Sequence, residues 1–341
     1  MSSRTGRPTL AVIAEAAGVS VATVSKVLNG REDVAPGTRA LVQDLLQRHY
    51  YVGRGPTRHP TVELIFHGPL GAYATEVLEG VLDASAQAGV AVVLSLRPLE
   101  PPAQRTPSAT AWALGLAAAG RQAVISVCNE IPAGDLAALD RAGVPLLVLD
   151  PLVAASPDVT SVGSTNYAGG VAAAEHLLAL GHRRAAYLGG DRTAACNQAR
   201  FHGFRGTMEA AGCPVPEDLV LHRRFRYEEG LAGGAVLLDH PDPPTAIFAG
   251  NDEIAVGVIE TARTRGLRVP DDLSVVGFDD THVAQLSSPG LTTVRQPLRD
   301  MGSVALRTAL QLAAGEPVDS HHVELATSLV VRNSTAPPAP R

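Results

Sequence analysis

The 341-residue sequence has few cysteines, a small share of aromatic residues and no long apolar segment. No apolar run reaches the ~18 residues that a membrane-spanning helix requires. The first residues, MSSRTGRP, lack the apolar core of a secretory signal, so we expect a cytoplasmic protein. The three cysteines, Cys128, Cys196 and Cys213, have no CxxC or CxxH spacing and predict neither a disulfide framework nor a metal site.

Apolar residues make up 45% of the sequence, although aromatic residues make up only 4%. This composition excludes a disordered chain and is typical of helices and parallel strands rich in Ala, Val and Leu. The length predicts two or three domains at roughly 100 to 200 residues each. Because no GxSxG, HExxH, Walker or GxGxxG motif follows a strand in the expected context, we predict neither enzymatic activity nor a cofactor.

Charge is distributed unevenly along the chain. Residues 1–60 contain eight Lys or Arg and four Asp or Glu, a net charge of +4, which leaves −10 for the rest of a chain whose total is −6. A small basic module joined to a large acidic one predicts a head that binds a polyanion. The alternative at this point is a solvated basic tail.

The pattern inside the basic segment predicts two short helices that meet at a tight corner. Thr9 is a good N-cap for a helix over residues 10–17, which ends at Gly18. Ser20 is a good N-cap for a second helix over residues 21–28.

A third helix completes the pattern. Pro36 can open it, and we predict helix from Thr38 to about His49, with an apolar face. Three helices arranged in this way describe a helix-turn-helix head, over residues 1–50, rather than an ordinary three-helix domain. The apolar face of the third helix is formed by Leu41, Leu45 and Leu46.

The second helix of such a head lies in the major groove of DNA. Its outward residues near the N-terminus, Val21, Ala22 and Lys26, are the predicted base contacts. Apolar side chains suit thymine methyl groups, and the Lys ammonium can donate to guanine. Polar residues placed to contact phosphate, and so to position the head, are Ser20, Thr23, Ser25 and Asn29. Val24, Val27 and Leu28 are predicted to face the core.

Residues 9–30 (TLAVIAEAAGVSVATVSKVLNG) and 34–39 (VAPGTR) closely resemble the head of the lac repressor (LacI/GalR) family of bacterial transcription regulators. The resemblance implies a homodimer that binds a pseudo-palindromic double-stranded operator. It also implies an effector-binding body and control of transcription by a small molecule.

The segment over residues 51–61 departs from this family. Where members carry a Pro-Asn-x-x-Ala-x-x-Leu hinge helix, this chain has Gly53, Gly55, Pro56 and Pro60. Because Gly and Pro disfavour a helix, we predict a linker without the usual hinge helix. Two roles stay open for it: an inert tether, or DNA contact through Arg54, Arg58 and His59.

From residue 62 onwards, β-branched runs alternate with helical patterns, which predicts parallel sheet with right-handed crossovers. The body is too long for one compact core, so we predict an α/β body of two doubly wound lobes, similar to periplasmic binding proteins. The resemblance implies crossings between the lobes near residues 161, 290 and 320. The first lobe is then 62–160 with 291–320, and the second 161–290 with 321–335. The predicted strands lie at residues 62–66, 90–94, 124–127 and 146–149, then 185–188, 219–221, 246–248 and 273–276.

Polar residues directly follow several of these strands, where ligands of doubly wound sheets bind. Asp150, Asn251 and Asp279 do so, Arg200 opens a helix after a loop, and Phe225 lies in another loop. Carboxylates, an amide and a guanidinium beside an aromatic ring suit a polyhydroxylated ligand. Asp and Asn are also common helix caps and turn formers, which is the alternative for each.

Long motifs of the body resemble the family's effector domain: FAGNDEIAVG (248–257), RVPDDLSVVGFDD (268–280), LTTVRQP (291–297) and LVVRNST (329–335). The resemblance assigns effector contacts to Asp150, Arg200, Phe225, Asn251 and Asp279. Three further candidates are Gln296, His67 and Tyr73.

These observations predict a dimeric, sequence-specific DNA-binding transcription regulator, expected to be a repressor, that senses a small sugar-like effector between two lobes. The alternative is a sugar-binding protein without a DNA-regulatory role. That alternative would need a secretion signal and would have no use for a basic helix-turn-helix head.

Overall fold

The structure is a computed structural model that describes residues 10–28, 31, 33–48, 60–68, 70–97, 108–129, 131–153 and 159–339. It divides into a small unit, Met1–His59, and a large unit, Pro60–Arg341. The linker residues 51–59, for which no hinge helix was predicted, lie outside the described residues.

The described residues of the small unit form three helices: α1 (Leu10–Ala17), α2 (Val21–Leu28) and α3 (Pro36–Arg48). The chain turns by 100° between α1 and α2, within the range for a helix-turn-helix corner. Gly18 supports the corner with a positive φ of 64°, a conformation in which glycine has no Cβ penalty. The Ser20 hydroxyl accepts a hydrogen bond from the Thr23 amide at 3.1 Å, which caps α2 as predicted.

A small apolar core holds the three helices together. Val24 and Val27 of α2 are buried in it, as predicted, beside Ile13 of α1. Of the residues predicted for the apolar face of α3, Leu45 and Leu46 pack against this core, but Leu41 was wrong: it is 46% exposed, whereas the neighbouring Val42 is fully buried. Successive helical residues lie about 100° apart, so only one of these two neighbours can face the core.

In the part of the chain that the structure describes, no single helix is long and apolar enough to cross a membrane. The helices α1 and α2 reach that length and composition only as a bent pair.

The first lobe of the large unit is built on six parallel strands in the order β11-β5-β4-β3-β1-β2. Helices α4 (Ala72–Ala88) and α12 (Leu298–Ala314) cover one face, and α5 (Ala109–Ala118) and α6 (Ala133–Ala142) cover the other. The strands are β1 (Thr61–His67), β2 (Ala91–Arg97), β3 (Arg121–Val127), β4 (Leu146–Leu149), β5 (Thr160–Ser164) and β11 (His322–Leu325).

The second lobe repeats this plan, with the strand order β12-β10-β9-β8-β6-β7 and with β12 antiparallel. Helices α7 (Asn166–Ala179) and α8 (Ala195–Ala210) cover one face, and α9 (Tyr227–Leu238) and α10 (Asp252–Thr264) cover the other. The predicted pair of doubly wound lobes is confirmed. The remaining elements are β6 (Ala185–Gly189), β7 (Val220–His222), β8 (Ala246–Ala249), β9 (Ser274–Asp279), α11 (His282–Leu286), β10 (Thr292–Arg295) and β12 (Ser328–Val330).

The chain passes between the lobes after β5, after β10 and after β11. Each passage lies a few residues beyond the expected positions near 161, 290 and 320. The predicted lobe boundaries therefore placed three strands in the wrong lobe: β5 and β11 belong to the first sheet and β10 to the second. The reason is that each strand pairs fully with the sheet it leaves before the chain crosses.

Candidate functional site

Two aspartates at strand ends have unusual backbone conformations. Asp150 follows β4 with φ of 51°, and Asp279 ends β9 with φ of 112°. Positive φ is uncommon for residues other than glycine, and such strain concentrates at functional sites. Both side chains are buried, at the carboxyl ends of the two sheets.

Arg200 lies between the ends of β8 and β9, and its side chain is buried. Its Nη1 donates to the Gly250 carbonyl at 2.6 Å and lies 3.8 Å from Asp279 Oδ1. The guanidinium carbon lies 3.8 Å from the ring centroid of Phe278. From the sequence, Arg200 was predicted to open its helix. This prediction was wrong, because α8 already begins at Ala195.

A glycine on the neighbouring helix lets α8 approach closely enough to place Arg200. A Cβ atom on Gly170 of α7 would lie 2.1 Å from the Arg200 carbonyl oxygen. Any larger residue at this position would push the two helices apart and move the guanidinium.

Each aspartate is held by a neutral donor. The Tyr73 hydroxyl of α4 donates to Asp150 Oδ2 at 3.1 Å. Gln296, at the second crossover, donates from Nε2 to Asp279 Oδ1 at 2.6 Å and accepts from the Ser164 hydroxyl. These bonds join groups from both lobes into one network.

Burial dominates the electrostatics of this network. It raises the pKa of Asp279 to about 7, although Arg200 and the Gln296 amide act in the opposite direction. Burial also raises the pKa of Asp150, against the opposing effects of Arg200 and Tyr73. The pKa of Tyr73 is raised well above its usual value by burial and by Asp150, so Tyr73 stays a neutral donor. The buried network thus offers one fixed cation and two carboxylates, one of which titrates near neutrality.

Phe225 adds an aromatic surface beside the guanidinium. The ring of Phe225 is half-buried, and its centroid lies 5.5 Å from the Arg200 guanidinium carbon. A Cβ atom on Gly190 would lie only 2.2 Å from the ring, and one on Gly250 3.1 Å from it. Glycines after β6 and β8 therefore make room for the ring.

In the small unit, the outward face of α2 is available to a partner. Val21 and Ala22 are exposed, and the exposed Lys26 donates to Asp33 at 2.6 Å. The hydroxyls of Ser20 and Thr23 lie 2.9 Å apart, and Ser25 is half-buried. Asn29, a predicted phosphate contact, lies outside the described residues.

Comparisons with known proteins cover both units. Residues 9–53 match the bacterial regulatory proteins of the lacI family, and residues 174–335 match the periplasmic binding protein-like domain. The chain is 32% identical to the HTH-type transcriptional regulator DegA of Bacillus subtilis (strain 168), over 97% of this chain and 99% of that protein. It is 30% identical to catabolite control protein A of Priestia megaterium, over 95% and 98%. The chain belongs to the lacI family of bacterial regulatory proteins.

Solved structures agree with this assignment. The lac repressor dimer bound to operator and the anti-inducer ONPF has 26% identity and a TM-score of 0.80, over 97% of this chain and 100% of that one. The complex of the transcriptional regulator CelR with cellobiose has 32% identity and a TM-score of 0.72, over 96% and 100%. The lacI-family chain described here is a DNA-binding transcription regulator rather than a sugar-binding protein without a regulatory role.

The structure brings together most, but not all, of the predicted cleft residues of this lacI-family regulator. Asn251 is the N-cap of α10, and its Oδ1 accepts from the Ile254 amide at 2.9 Å, which agrees with the cap alternative. His67 has no hydrogen bond in the described residues that joins it to the aspartate network; its buried Nδ1 has no partner there. Burial and the Arg97 charge lower the pKa of His67.

Sequence reasoning missed Asn166, the first residue of α7. Its Oδ1 accepts from Arg200 Nε at 2.8 Å, and its Nδ2 donates to the Ser164 carbonyl at 3.1 Å. Asn166 also acts to lower the pKa of Asp150, in opposition to burial. The available signal was a polar residue two positions after β5, a strand that was not predicted from the sequence.

No group of three His, Cys, Asp or Glu side chains in the described ranges could hold a metal ion. All three cysteines are free thiols. Burial raises the pKa of Cys196, near Arg200, to about 12, so this thiol stays protonated at neutral pH.

Proposed function

We propose that this lacI-family regulator is a repressor whose operator affinity is controlled by a small sugar-like molecule bound between its two lobes. The observation that carries the proposal is the buried network of Asp150, Arg200 and Asp279, where the carboxyl ends of both sheets meet. A regulator of transcription acts on the bacterial chromosome, so we place it in the cytoplasm, associated with the nucleoid when it is bound to DNA. We propose no catalytic role.

The chemistry of the network fits a polyhydroxylated ligand. Carboxylates accept two hydrogen bonds from neighbouring hydroxyls, and a guanidinium donates several in a fixed plane. The Phe225 ring offers an apolar surface beside them. Two solved relatives are consistent with a carbohydrate ligand: CelR bound to cellobiose and the lac repressor bound to ONPG.

The network also supplies a route from ligand to lobe angle. Asp150 and Tyr73 belong to the first lobe, whereas Arg200 and Asp279 belong to the second. A ligand that bonds to both sides favours one angle between the lobes. The differential binding needed for a useful response is modest, about 1 to 3 kcal/mol.

For DNA we propose that α2 reads bases through Val21, Ala22 and Lys26. Both the Lys26 and Asp33 side chains are exposed, so exchanging Asp33 for a guanine or a phosphate costs little free energy. The proposed phosphate contacts are Ser20, Thr23, Ser25 and Asn29.

We also propose a homodimer formed through the large unit. The surface of the large unit exposes several apolar side chains. One of them, Leu286 of α11, is 81% exposed. A groove of about 420 Å³ opens beside α11, between Leu70 on one lobe and Val256 on the other. A solved relative, the lac repressor, is a dimer on its operator. Two heads on a two-fold axis match a pseudo-palindromic site.

A gel-shift assay of the full chain on its own upstream DNA, repeated across a panel of sugars, tests the proposal. We expect a retarded complex that excess scrambled duplex does not compete away, and at least one sugar that changes its apparent Kd. If scrambled duplex at the same concentration as the upstream DNA removes the complex, the assignment as a sequence-specific DNA-binding protein is overturned. A sugar that acts equally on the wild type and on Asp279→Ala would overturn the assignment of the cleft.

A further inference from the structure

Four arginines lie on two adjacent loops at the carboxyl ends of β6 and β7. Strands β6 and β7 are parallel neighbours, with Gly189 opposite His222. The loops that leave them carry Arg192 on one side and Arg223, Arg224 and Arg226 on the other. The Arg223 amide donates to the Gly189 carbonyl at 2.9 Å, which joins the two loops.

Arginine charges on each loop act on a titratable group at the other strand end or loop. The Arg192 charge lowers the pKa of His222, after the larger effect of burial. The Arg224 charge contributes to the lowered pKa of Asp191, after the hydrogen bonds from Thr193. The two loops therefore concentrate positive charge in one place.

None of the four guanidinium groups forms an ion pair or a side-chain hydrogen bond with another described residue. The nearby Asp191 carboxylate accepts hydrogen bonds from the Thr193 amide and hydroxyl, at 2.8 and 2.7 Å, and its single negative charge leaves the two loops positive. Unpaired arginines are unexpected in a region of net charge −10, where carboxylates outnumber them. Many other arginines of the large unit pair with a carboxylate, among them Arg184, Arg205, Arg263, Arg265, Arg268 and Arg295.

The arginine loops are continuous with the proposed ligand site. Phe225, which packs against Gly190 and Gly250 beside Arg200, lies between Arg224 and Arg226 in the chain. Helix α9 begins directly after Arg226, and no side chain caps its N-terminus. The amides of that first turn add positive potential to the same edge, partly offset by Glu228 and Glu229.

We propose that the ligand of the cleft is a carbohydrate that carries an anionic group, a phosphate or a carboxylate, which Arg192, Arg223 and Arg224 bind at the mouth of the cleft. Guanidinium groups bind both anions through paired, charge-assisted hydrogen bonds. The neutral hydroxyls of the same ligand bond to the aspartate network below. This inference rests on the proposed function, since it concerns the ligand of the same cleft.

Inorganic phosphate tests the anion site directly. We expect it to bind the full chain in a titration by calorimetry at low ionic strength. Replacing the three arginines together (Arg192→Ala, Arg223→Ala, Arg224→Ala) should weaken this binding at least about tenfold. Arg141→Ala, an exposed arginine of the first lobe, is the matched control and should bind as the wild type does. Equal binding by all three proteins would overturn the anion site.

A second measurement separates this inference from the proposed function. The gel-shift assay is repeated with matched glucose, glucose 6-phosphate and glucuronate, and with the same triplets of other hexoses. The inference requires an anionic member to act on the wild type and to lose its effect on the triple variant. A neutral sugar that acts equally on both proteins would overturn the inference and leave the proposed function standing. Arginine-dependent phosphate binding, with no sugar changing DNA affinity, would support the anion site and count against sugar sensing.

Discussion

The regulator places the same kind of ion pair in two very different environments. Lys26 and Asp33 of the small unit lie 2.6 Å apart, and half of the Lys26 side chain is exposed. Arg200 and Asp279 of the large unit lie 3.8 Å apart, and both side chains are almost fully buried. The closer pair is therefore the weaker one, because solvent screens it and its charges need no partner to stay ionised.

This difference matches what each pair has to do. An exposed pair exchanges partners easily, which suits a helix that alternates between solvent and DNA. A buried pair can change only if another polar group replaces what is lost, because an unpaired charge inside the protein is costly. We therefore expect the proposed site to respond only to ligands with complementary groups.

The largest effect is expected from Arg200→Ala. It leaves Asp150 and Asp279 buried without their cation, and we expect the free energy of unfolding to fall by about 3 to 5 kcal/mol. Urea denaturation of the full chain measures this fall. The matched control is Arg205→Ala, which removes an exposed arginine of the same helix and should leave the midpoint nearly unchanged. Similar midpoints for the two variants would mean that the buried Arg200 contributes no more to stability than an exposed arginine.

Asp279→Ala should fold and bind DNA but lose the response to the effector. Removing one charged acceptor weakens ligand binding by about 1.5 to 3 kcal/mol, or roughly tenfold to a hundredfold. Calorimetry with the effector found in the gel-shift panel measures this loss. Asp271→Ala, an exposed aspartate of the same lobe, is the control. A normal response from Asp279→Ala would remove this carboxylate from the site.

Lys26→Ala should cost about 1 to 3 kcal/mol of discrimination between operator and random DNA. Competition gel shifts measure it, and an equal loss on both DNAs would mean that Lys26 contacts only phosphate. Lys26 is also the single lysine of the sequence, so acetylation of side-chain amines followed by mass spectrometry reports on this residue alone. Operator DNA should protect it, whereas the effector without DNA should not.

The smallest effect, taken over one pH unit, is the dependence of the free energy of unfolding on pH. The pKa of Asp279 is raised to about 7 in the folded protein, so the folded state holds its proton where the unfolded state has released it. The resulting stabilisation is complete below the unfolded pKa near 4 and is lost as the pH rises to about 7. Between these values the wild type should lose up to about 1.4 kcal/mol per pH unit more than Asp279→Asn. The free energy of unfolding is measured by urea denaturation at several pH values. An equal dependence on pH for the two proteins would contradict the raised pKa.

Local signals allowed the small unit to be predicted almost residue by residue. Gly18 and Ser20 define a corner through backbone conformation and capping alone, so no distant contact is needed to place it. The choice between Leu41 and Val42 was wrong because it depends on how α3 turns towards the other two helices.

The residues of the proposed site were only partly predictable, because the positions of some of them depend on contacts with distant elements. Asp150 and Asp279 follow buried strands that their own sequence reveals. Asn166 follows β5, a short strand that includes Gly163 and pairs with β4 and β11, so its position depends on distant neighbours. The pairing of Arg200 with the Gly250 carbonyl likewise arises only when α8 packs against α7. The predicted linker and Asn29 stay predictions, because they lie outside the described residues.

The crossovers between the lobes are bonded to one another as well as to the cleft. The Thr327 amide donates to the Thr165 hydroxyl at 2.9 Å, and Ser164 donates to Gln296. Because three segments are fastened together in this way, we expect them to resist sliding independently and the lobes to move by rotation about one axis. Effectors of different size would then stop the same rotation at different points. The effects of such ligands would differ in the extent of one movement rather than in its kind.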